Sequence, residues 1–154
     1  YTSSFVGSVK MCIRDRYLQL EFTESAYNDN VEELYRTMHL LHQMGFTILM
    51  DDFGSGYSSL CMLKNTPFDV LKMDRQFLDE CLDSKQGKTI ISHVISMSND
   101  LGLSIIAEGV ENRGTADFLY DNGCSVSQGF YFSKPVSIPE FEHMLDEQQT
   151  EQQR

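Results

Sequence analysis

The sequence has few cations and no long apolar run, and both shortages limit what the protein can do. It contains 12 Lys and Arg against 23 Asp and Glu, which gives a net charge of -11. Nonspecific binding of DNA or RNA needs clustered cations that neutralise phosphates, so we expect neither as a partner. No apolar run approaches the roughly 20 residues that cross a bilayer, and the N-terminus lacks the apolar centre of a signal peptide. We expect a cytoplasmic protein, although a longer parent could be membrane-anchored upstream.

The placement of the cysteines excludes two kinds of small domain. The four cysteines are Cys12, Cys61, Cys81 and Cys124, and no two of them form a CxxC pair. This spacing fits neither a zinc ribbon nor the dense disulfide framework of small secreted proteins. We therefore expect reduced thiols, as in a cytosolic protein.

The apolar residues, 41% of the chain, are enough for the core of one domain and follow two alternating periods. Short β-type runs alternate with helical patterns, which predicts an α/β fold with a parallel sheet. The predicted strands are 17–23, 47–51, 70–74, 104–108 and 125–132, and the predicted helices are 31–44, 89–101, 114–122 and 138–147. Residues 148–154 form a polar tail. Residues 1–16 show no clean period, and part of this segment resembles translated adaptor sequence, so we treat it as doubtful and not necessarily native.

The adjacent acids Asp51 and Asp52 end an apolar run and precede a glycine loop. Consecutive side chains of a regular strand point to opposite faces, so both acids can serve one site only where the strand is already ending. Gly54 and Gly56 permit that bending. The pattern indicates a metal site at the end of a buried strand. The alternative is that one Asp caps the next helix and the other is solvated.

Each predicted strand carries a polar side chain near its C-terminal end, and the alternation of the strands places these side chains on one face. They are Glu21, Asp51, Lys72, Glu108 and Gln128. Barrel enzymes place their sites at this rim. The carboxylates would repel one another unless cations were bound, and hard divalent ions such as Mg2+ or Mn2+ match oxygen ligands. Lys72 can stabilise anionic charge or hold an attacking water, and its alternative role is a structural ion pair.

Five sequence blocks stand in a fixed order along residues 17–145. They are LEFTES at 20–25, DDFGSGYSSL at 51–60, LKMDR at 71–75, AEGVE at 107–111 and QGFYFSKP at 128–135. In this order they resemble the signature blocks of the EAL-domain cyclic di-GMP phosphodiesterases. The resemblance implies a TIM-type (β/α) barrel, two Mg2+ or Mn2+ ions, and hydrolysis of cyclic di-GMP to the linear dinucleotide.

The resemblance also implies roles for single residues. Glu21, Asp51 and Asp52 resemble metal ligands, with Asp51 as the candidate bridge. Lys72 and Glu108 resemble the residues that orient and activate water, and Gln128 resembles a neighbour of that centre. Glu24 resembles the acid that stabilises the loop after Asp52, which in this family also shapes a homodimer contact. Arg75 either touches a ligand phosphate or helps to close the barrel.

Two features of the family are not found in the chain. The Glu-Ala-Leu motif and a metal-binding Asn both lie upstream of the Glu21 block in the family, and the chain supplies roughly the last five of eight barrel strands. We expect residues 17–147 to be the C-terminal portion of an EAL domain that is inactive alone and is poorly soluble or oligomeric because its sheet is open. A parent protein could carry sensor or GGDEF-type domains upstream. The alternative is a catalytically silent EAL-like module that binds nucleotide or a protein partner.

Overall fold

Strands and helices alternate along the part of the chain that the structure, a computed structural model, describes: residues 18–23, 31–54, 63–64 and 67–152. In chain order the elements are β1 (Gln19–Thr23), α1 (Val31–Gln43), β2 (Thr47–Phe53), β3 (Val70–Met73), α2 (Arg75–Leu82), α3 (Lys85–Asp100), β4 (Ser104–Ala107), α4 (Arg113–Asp121), β5 (Val126–Ser127) and α5 (Ile138–Gln152). None of the helices in these ranges is long and apolar enough to cross a membrane.

The five strands form one parallel sheet in the order β1-β2-β3-β4-β5. The α/β class and the parallel sheet predicted from the sequence are therefore confirmed. One face of the sheet packs on the helices, and residues of alternating strand positions such as Ile48, Met50, Leu71 and Met73 are fully buried there. The opposite face carries the polar residues that the same alternation selects.

Helix α2 was not predicted, because Asp74 was assigned to the preceding strand. Asp74 instead caps the helix: its side chain accepts hydrogen bonds from the backbone N–H groups of Gln76, at 2.7 Å, and Phe77, at 3.4 Å. An Asp followed by apolar residues at helical spacing is a known start signal, and Leu78 is the residue that this spacing buries. The chain therefore turns into a helix directly after β3.

The last two elements differ from the predicted bounds. The run 125–132 was predicted as one strand, but β5 contains only Val126–Ser127. The chain then turns, since the backbone N–H groups of Phe132 and Ser133 both donate to the carbonyl of Gly129, at 3.1 and 3.3 Å. Helix α5 continues to Gln152, beyond the end predicted at Glu147.

Asp69 joins three elements at the N-terminal end of the sheet, opposite the polar rim. Its Oδ2 accepts a hydrogen bond of 2.8 Å from the backbone N–H of Ile48, and its Oδ1 lies 3.2 Å from Nε2 of His42 at the end of α1. Ile48 is fully buried, so its N–H depends on a protein partner. The His42 pair is exposed and contributes much less to stability.

We predict that Asp69→Ala lowers the free energy of unfolding by about 1–3 kcal/mol, because it leaves the buried N–H of Ile48 without its acceptor. Asp69→Asn keeps a side-chain oxygen and should lose less. His42→Ala, which removes only the exposed pair, should change stability by less than about 1 kcal/mol. Urea unfolding at unchanged slope measures all three variants, and equal losses for Asp69→Ala and His42→Ala would contradict this account.

Candidate active site

Lys72 is the centre of a cluster of carboxylates on the polar face of the sheet. It lies on β3 and is only 8% exposed. Its Nζ donates to Oε1 of Glu21 on β1 at 2.7 Å and to Oδ1 of Asp51 on β2 at 2.8 Å. A third carboxylate, from Glu108 just after β4, lies 2.8 Å from the same nitrogen. We call Lys72, Glu21, Asp51 and Glu108 the Lys72 cluster.

The carboxylates hold Lys72 in its charged form. Burial by itself would lower the pKa of the ammonium, but hydrogen bonds to Asp51, Glu108 and Glu21 outweigh it, so the pKa is raised above its ordinary value. One ammonium faces three carboxylates, which leaves two negative charges without a counterion inside the cluster. The net negative charge of the cluster therefore favours binding of a further cation.

Gln128 extends the cluster toward β5. Its Nε2 donates to Oε1 of Glu108 at 2.8 Å, so this oxygen receives both the amide and the ammonium. The backbone supports the contact, since Gln128 N–H donates to the carbonyl of Ala107 at 2.8 Å and Gln128 O accepts from Val110 N–H at 3.0 Å. The carboxylate of Glu108 is thus held in one orientation from two directions.

The Asp51-Asp52 pair lies on an irregular part of β2, where the register with β3 shifts between Met50 and Phe53. The strand was predicted to end at Asp51, but it continues through this bulge to Phe53. Asp52 adopts a left-handed conformation with φ of 57°, which Asp tolerates better than most residues. The bulge therefore changes the direction of two consecutive side chains, a change that was expected from the sequence at the end of the strand.

Asp52 lies beside the Lys72 cluster and borders a shallow depression with Asp74 and Arg75. Its pKa is raised above the ordinary value, first by burial and then by the negative charges of Asp51 and Asp74. A carboxylate in such surroundings gains from any nearby cation. A sparsely populated backbone conformation at this position is typical of functional sites.

The donor set fits hard divalent cations. The oxygens of Glu21, Asp51 and Glu108 converge on one point and carry excess negative charge, and Asp52 adjoins them. Among the described residues, no three His, Cys, Asp or Glu side chains are arranged to hold a metal ion as they stand. The ammonium of Lys72 lies between the carboxylates of Glu21, Asp51 and Glu108. Binding a metal would require the acids to share their oxygens between that ion and Lys72.

A cavity of about 680 Å3 opens beside the Glu108 end of the cluster. It combines cationic, acidic and aromatic side chains, and its lining includes Arg75, Glu111, Phe130 and Lys134. The ammonium of Lys134 lies 6.0 Å from the ring centre of Phe130. A ligand with a planar group and an anionic group could bind here, because the planar group can stack on an aromatic ring and the anionic group can form an ion pair.

The strand alternation correctly predicted which side chains meet. Four of the predicted residues form the Lys72 cluster, and Gln128 contacts it through Glu108. Their catalytic and metal-binding roles remain predictions. Glu24 and residues 55–62 of the loop after Asp52 lie outside the described residues.

Glu111 was not singled out by sequence reasoning, although it lies within the AEGVE block. Its Oε1 is 2.7 Å from Nη1 of Arg75, whose Nε also lies 3.3 Å from Oδ2 of Asp79. The only sequence signal was an acid three residues after Glu108, in a loop that reaches the same rim. Arg75 borders the cavity, as a ligand-binding residue would, but its guanidinium already has two carboxylate partners.

Comparison with known proteins identifies the family to which this arrangement belongs. The EAL-domain family matches residues 6–135, which is most of the chain. The chain belongs to the EAL-domain family. The match begins within the segment 1–16 that the sequence alone left doubtful.

Named relatives of this EAL chain include phosphodiesterases. Cyclic di-GMP phosphodiesterase NbdA of Pseudomonas aeruginosa is 37% identical over 129 residues, which cover 84% of this chain and 16% of NbdA. The EAL domain of Mycobacterium smegmatis DcpA has a similar structure, with a TM-score of 0.75 and 39% identity over 83% of this chain and 57% of that one. This chain therefore spans less than a fifth of NbdA and little more than half of the DcpA EAL domain.

One related EAL structure contains both a metal and a nucleotide. BlrP1 of Klebsiella pneumoniae was solved as a complex with manganese and cyclic di-GMP. It matches with a TM-score of 0.69 and 31% identity, over 75% of this chain and 30% of that one. Divalent metals and cyclic di-GMP are thus bound by relatives that share the fold.

Proposed function

We propose that this chain is the C-terminal part of a metal-dependent phosphodiesterase domain that hydrolyses cyclic di-GMP to the linear dinucleotide. The observation that carries the proposal is the convergence of three carboxylates on the buried ammonium of Lys72. This arrangement suits a reaction in which negative charge develops on a phosphoryl group beside bound cations. The names of relatives such as NbdA support the substrate.

The proposed metal ligands are Glu21, Asp51 and Asp52, with Asp51 as the bridge. Mg2+ and Mn2+ both match this oxygen donor set. When bound, two such ions supply charge that polarises the phosphodiester and lowers the pKa of a coordinated water. Glu21, Asp51 and Asp52 would hold the ions at the rim of β1 and β2, next to the Lys72 ammonium.

The proposed catalytic residues are Lys72, Glu108 and Gln128. Lys72 remains charged because its pKa is raised. Its ammonium can hold an attacking water or stabilise the phosphoryl oxygens when one of its three carboxylates releases it. Glu108 accepts a proton from that water. Gln128 keeps the Glu108 carboxylate oriented through its hydrogen bond of 2.8 Å. Water then attacks phosphorus as the P–O bond to one ester oxygen of the ring breaks, and the proton taken up by Glu108 is available to the departing oxygen, which leaves as a hydroxyl.

The test is hydrolysis of cyclic di-GMP by a protein that contains this chain within a complete EAL domain. We expect conversion to the linear dinucleotide with Mg2+ or Mn2+ and loss of activity with a chelator. Calorimetry of the same protein measures binding. Binding without hydrolysis would support the silent EAL-like module that binds nucleotide. Neither binding nor hydrolysis would refute the phosphodiesterase and leave only the module that binds a protein partner.

We predict that the 154-residue chain alone self-associates and has little or no activity. Among the described residues, β1 and β5 are edge strands, and apolar side chains near β5 and α5 are exposed, including Phe130 at 56% and Ile138 at 76%. Light scattering after gel filtration should detect oligomers. Ile138→Glu should reduce association, whereas Ile90→Glu on α3, also an exposed position, should not. A cooperative monomer would contradict the prediction.

We further propose a cytoplasmic location and a parent with upstream sensor or GGDEF-type domains. Free thiols support the location: Cys81 and Cys124 form no disulfide, and burial raises the pKa of both, which favours the protonated thiol. A homodimer through the loop after Asp52 is the proposed assembly of the complete domain. Gel filtration with and without cyclic di-GMP tests it.

A further inference from the structure

The loop 108–111, which carries Glu108, is held between two close contacts, one with the backbone at Gly129 and one with the side chain of Arg75. On the β5 side it packs against Gly129, where a Cβ atom would come within 2.2–2.7 Å of the backbone of Val110. Hydrogen bonds join the same segments, since Val110 N–H donates to Gln128 O and Val110 O accepts from Tyr131 N–H, each at 3.0 Å. This contact fixes the loop against Gln128.

On the other side the loop packs against Arg75, the first residue of α2. Gly109 has φ of 67°, and a Cβ atom there would come within 2.5–2.7 Å of the Cβ, Cγ and Cδ atoms of Arg75. The aliphatic stem of Arg75 thus lies directly on the backbone of Gly109, and its guanidinium binds Glu111 at 2.7 Å. Arg75 holds both ends of the segment that follows Glu108.

These contacts connect the two strands that supply the reacting groups. Arg75 is three residues after Lys72, and Gly109 directly follows Glu108. Strand pairing and a hydrogen bond of 3.1 Å from Glu108 N–H to Met73 O join β3 to the start of this loop. The Arg75 contacts add a second connection, from α2 to the residues after Glu108. We propose that Arg75 is a positioning residue, which holds the Glu108–Gln128 pair against Lys72 through Gly109 and Glu111. This inference rests on the proposed function.

The charges around Arg75 favour this role over direct binding of a substrate phosphate. Its guanidinium has carboxylates at 2.7 Å from Glu111 and 3.3 Å from Asp79, so an anionic ligand would have to compete with both. The side chain is 53% exposed, and an exposed ion pair contributes little to global stability. A small displacement of a catalytic carboxylate, however, can lower a rate about 100-fold. The two roles therefore predict different kinetics.

The test compares Arg75→Ala with Arg113→Ala in a protein that contains the complete domain. Arg113 is a matched control, because it is likewise the first residue of a helix and pairs at 3.3 Å with an acid four residues on, Asp117. We expect Arg75→Ala to lower kcat at least about 10-fold with KM changed less than about threefold, since positioning affects the reaction more than binding. Arg113→Ala should leave both unchanged.

Two further variants separate the parts of the contact. Glu111→Gln removes the ion pair and should lower kcat in the same way, and Arg75→Ala with Glu111→Gln should be no worse than Arg75→Ala alone because the two residues act together. Arg75→Lys keeps the stem on Gly109 and one charge, so it should recover part of the rate. If Arg75 instead binds a substrate phosphate, Arg75→Ala should raise KM, and Glu111→Gln should leave kcat unchanged.

Hydrogen–deuterium exchange supplies a readout that does not need activity. The N–H of Val110 is protected by Gln128 O, and Arg75→Ala should speed exchange in the peptide around residues 108–111 while Arg113→Ala should not. Unchanged exchange, or a raised KM with unchanged kcat, would overturn the positioning role. If the wild-type protein fails to hydrolyse cyclic di-GMP, the proposed function is lost, and the exchange comparison still decides whether Arg75 fixes the loop.

Discussion

Asp51→Asn in a protein that carries the complete EAL domain is expected to lower turnover of cyclic di-GMP at least about 100-fold. The substitution keeps the shape of the side chain but removes the negative charge that now lies 2.8 Å from Lys72 Nζ. Two losses follow from this: the proposed metal bridge loses an anionic oxygen, and Lys72 loses one of its three carboxylates. Both losses affect the same carboxylate position, next to Lys72 Nζ.

Metal binding provides a second measurement of the same variant. Titration with Mn2+ should show at least about tenfold weaker binding by Asp51→Asn. Loss of a residue that only orients a metal ligand already weakens metal binding about 10- to 100-fold, and loss of a ligand should cost at least as much. Asp117→Asn, the same substitution on the exposed surface of α4, is the control and should change neither activity nor metal binding. Near-normal hydrolysis by Asp51→Asn would refute the assignment of Asp51.

Glu108→Gln should also lower turnover at least about 100-fold, but for a different reason. Glu108 accepts from Gln128 and Lys72, and the proposed role is to take a proton from water. A Gln side chain cannot accept that proton, although it can keep part of the hydrogen bonding. Metal binding should therefore fall less in Glu108→Gln than in Asp51→Asn. Equal loss of metal binding in both would place Glu108 among the ligands instead.

Strand alternation was enough to predict which side chains meet in the Lys72 cluster, because side chains in a strand have only two directions. Lys72 and Ile106 are register partners across β3 and β4. Glu108 is two residues after Ile106, so its side chain lies on the same face as Lys72, just after the end of β4. The same rule applied to β1 correctly placed Glu21. A parallel sheet brings such residues to one edge whatever the helices do, which is why this part of the fold was accessible from the sequence.

The contacts between loops could not be predicted in this way. Helix α2 was missed because Asp74 fits the alternation of β3 as well as it fits a helix cap. The hydrogen bonds that its side chain accepts from the N–H groups of Gln76 and Phe77 identify it as the cap. The Arg75–Glu111 pair depends on where α2 begins, so it was missed as well. The conformation of Asp52 could not be predicted either, because it depends on a bulge in β2 that is defined by the pairing of β2 with β3.

Gly87→Ala is expected to lower the free energy of unfolding by about 3 kcal/mol, because there is no space for a methyl group. Gly87 is buried in the first turn of α3, where Ser84 Oγ accepts its N–H at 3.0 Å. A Cβ atom would come within 2.0 Å of the carbonyl oxygen of Cys81 and 2.6 Å of two more atoms of that backbone. Backbone cannot rotate away as a flexible side chain can, so α2 and α3 would have to move apart.

Gly114 in α4 offers the same substitution with the opposite expected sign. It also lies in the first turn of its helix, after the cap residue Asn112, but a Cβ atom there would meet only Asn112 Oδ1 at 3.4 Å. Gly114→Ala should stabilise the fold by about 0.5 kcal/mol, since Ala loses less conformational freedom than Gly in a helix. Urea unfolding measures both variants. Similar effects of the two would show that the contact of α3 with Cys81 does not exclude a side chain at position 87.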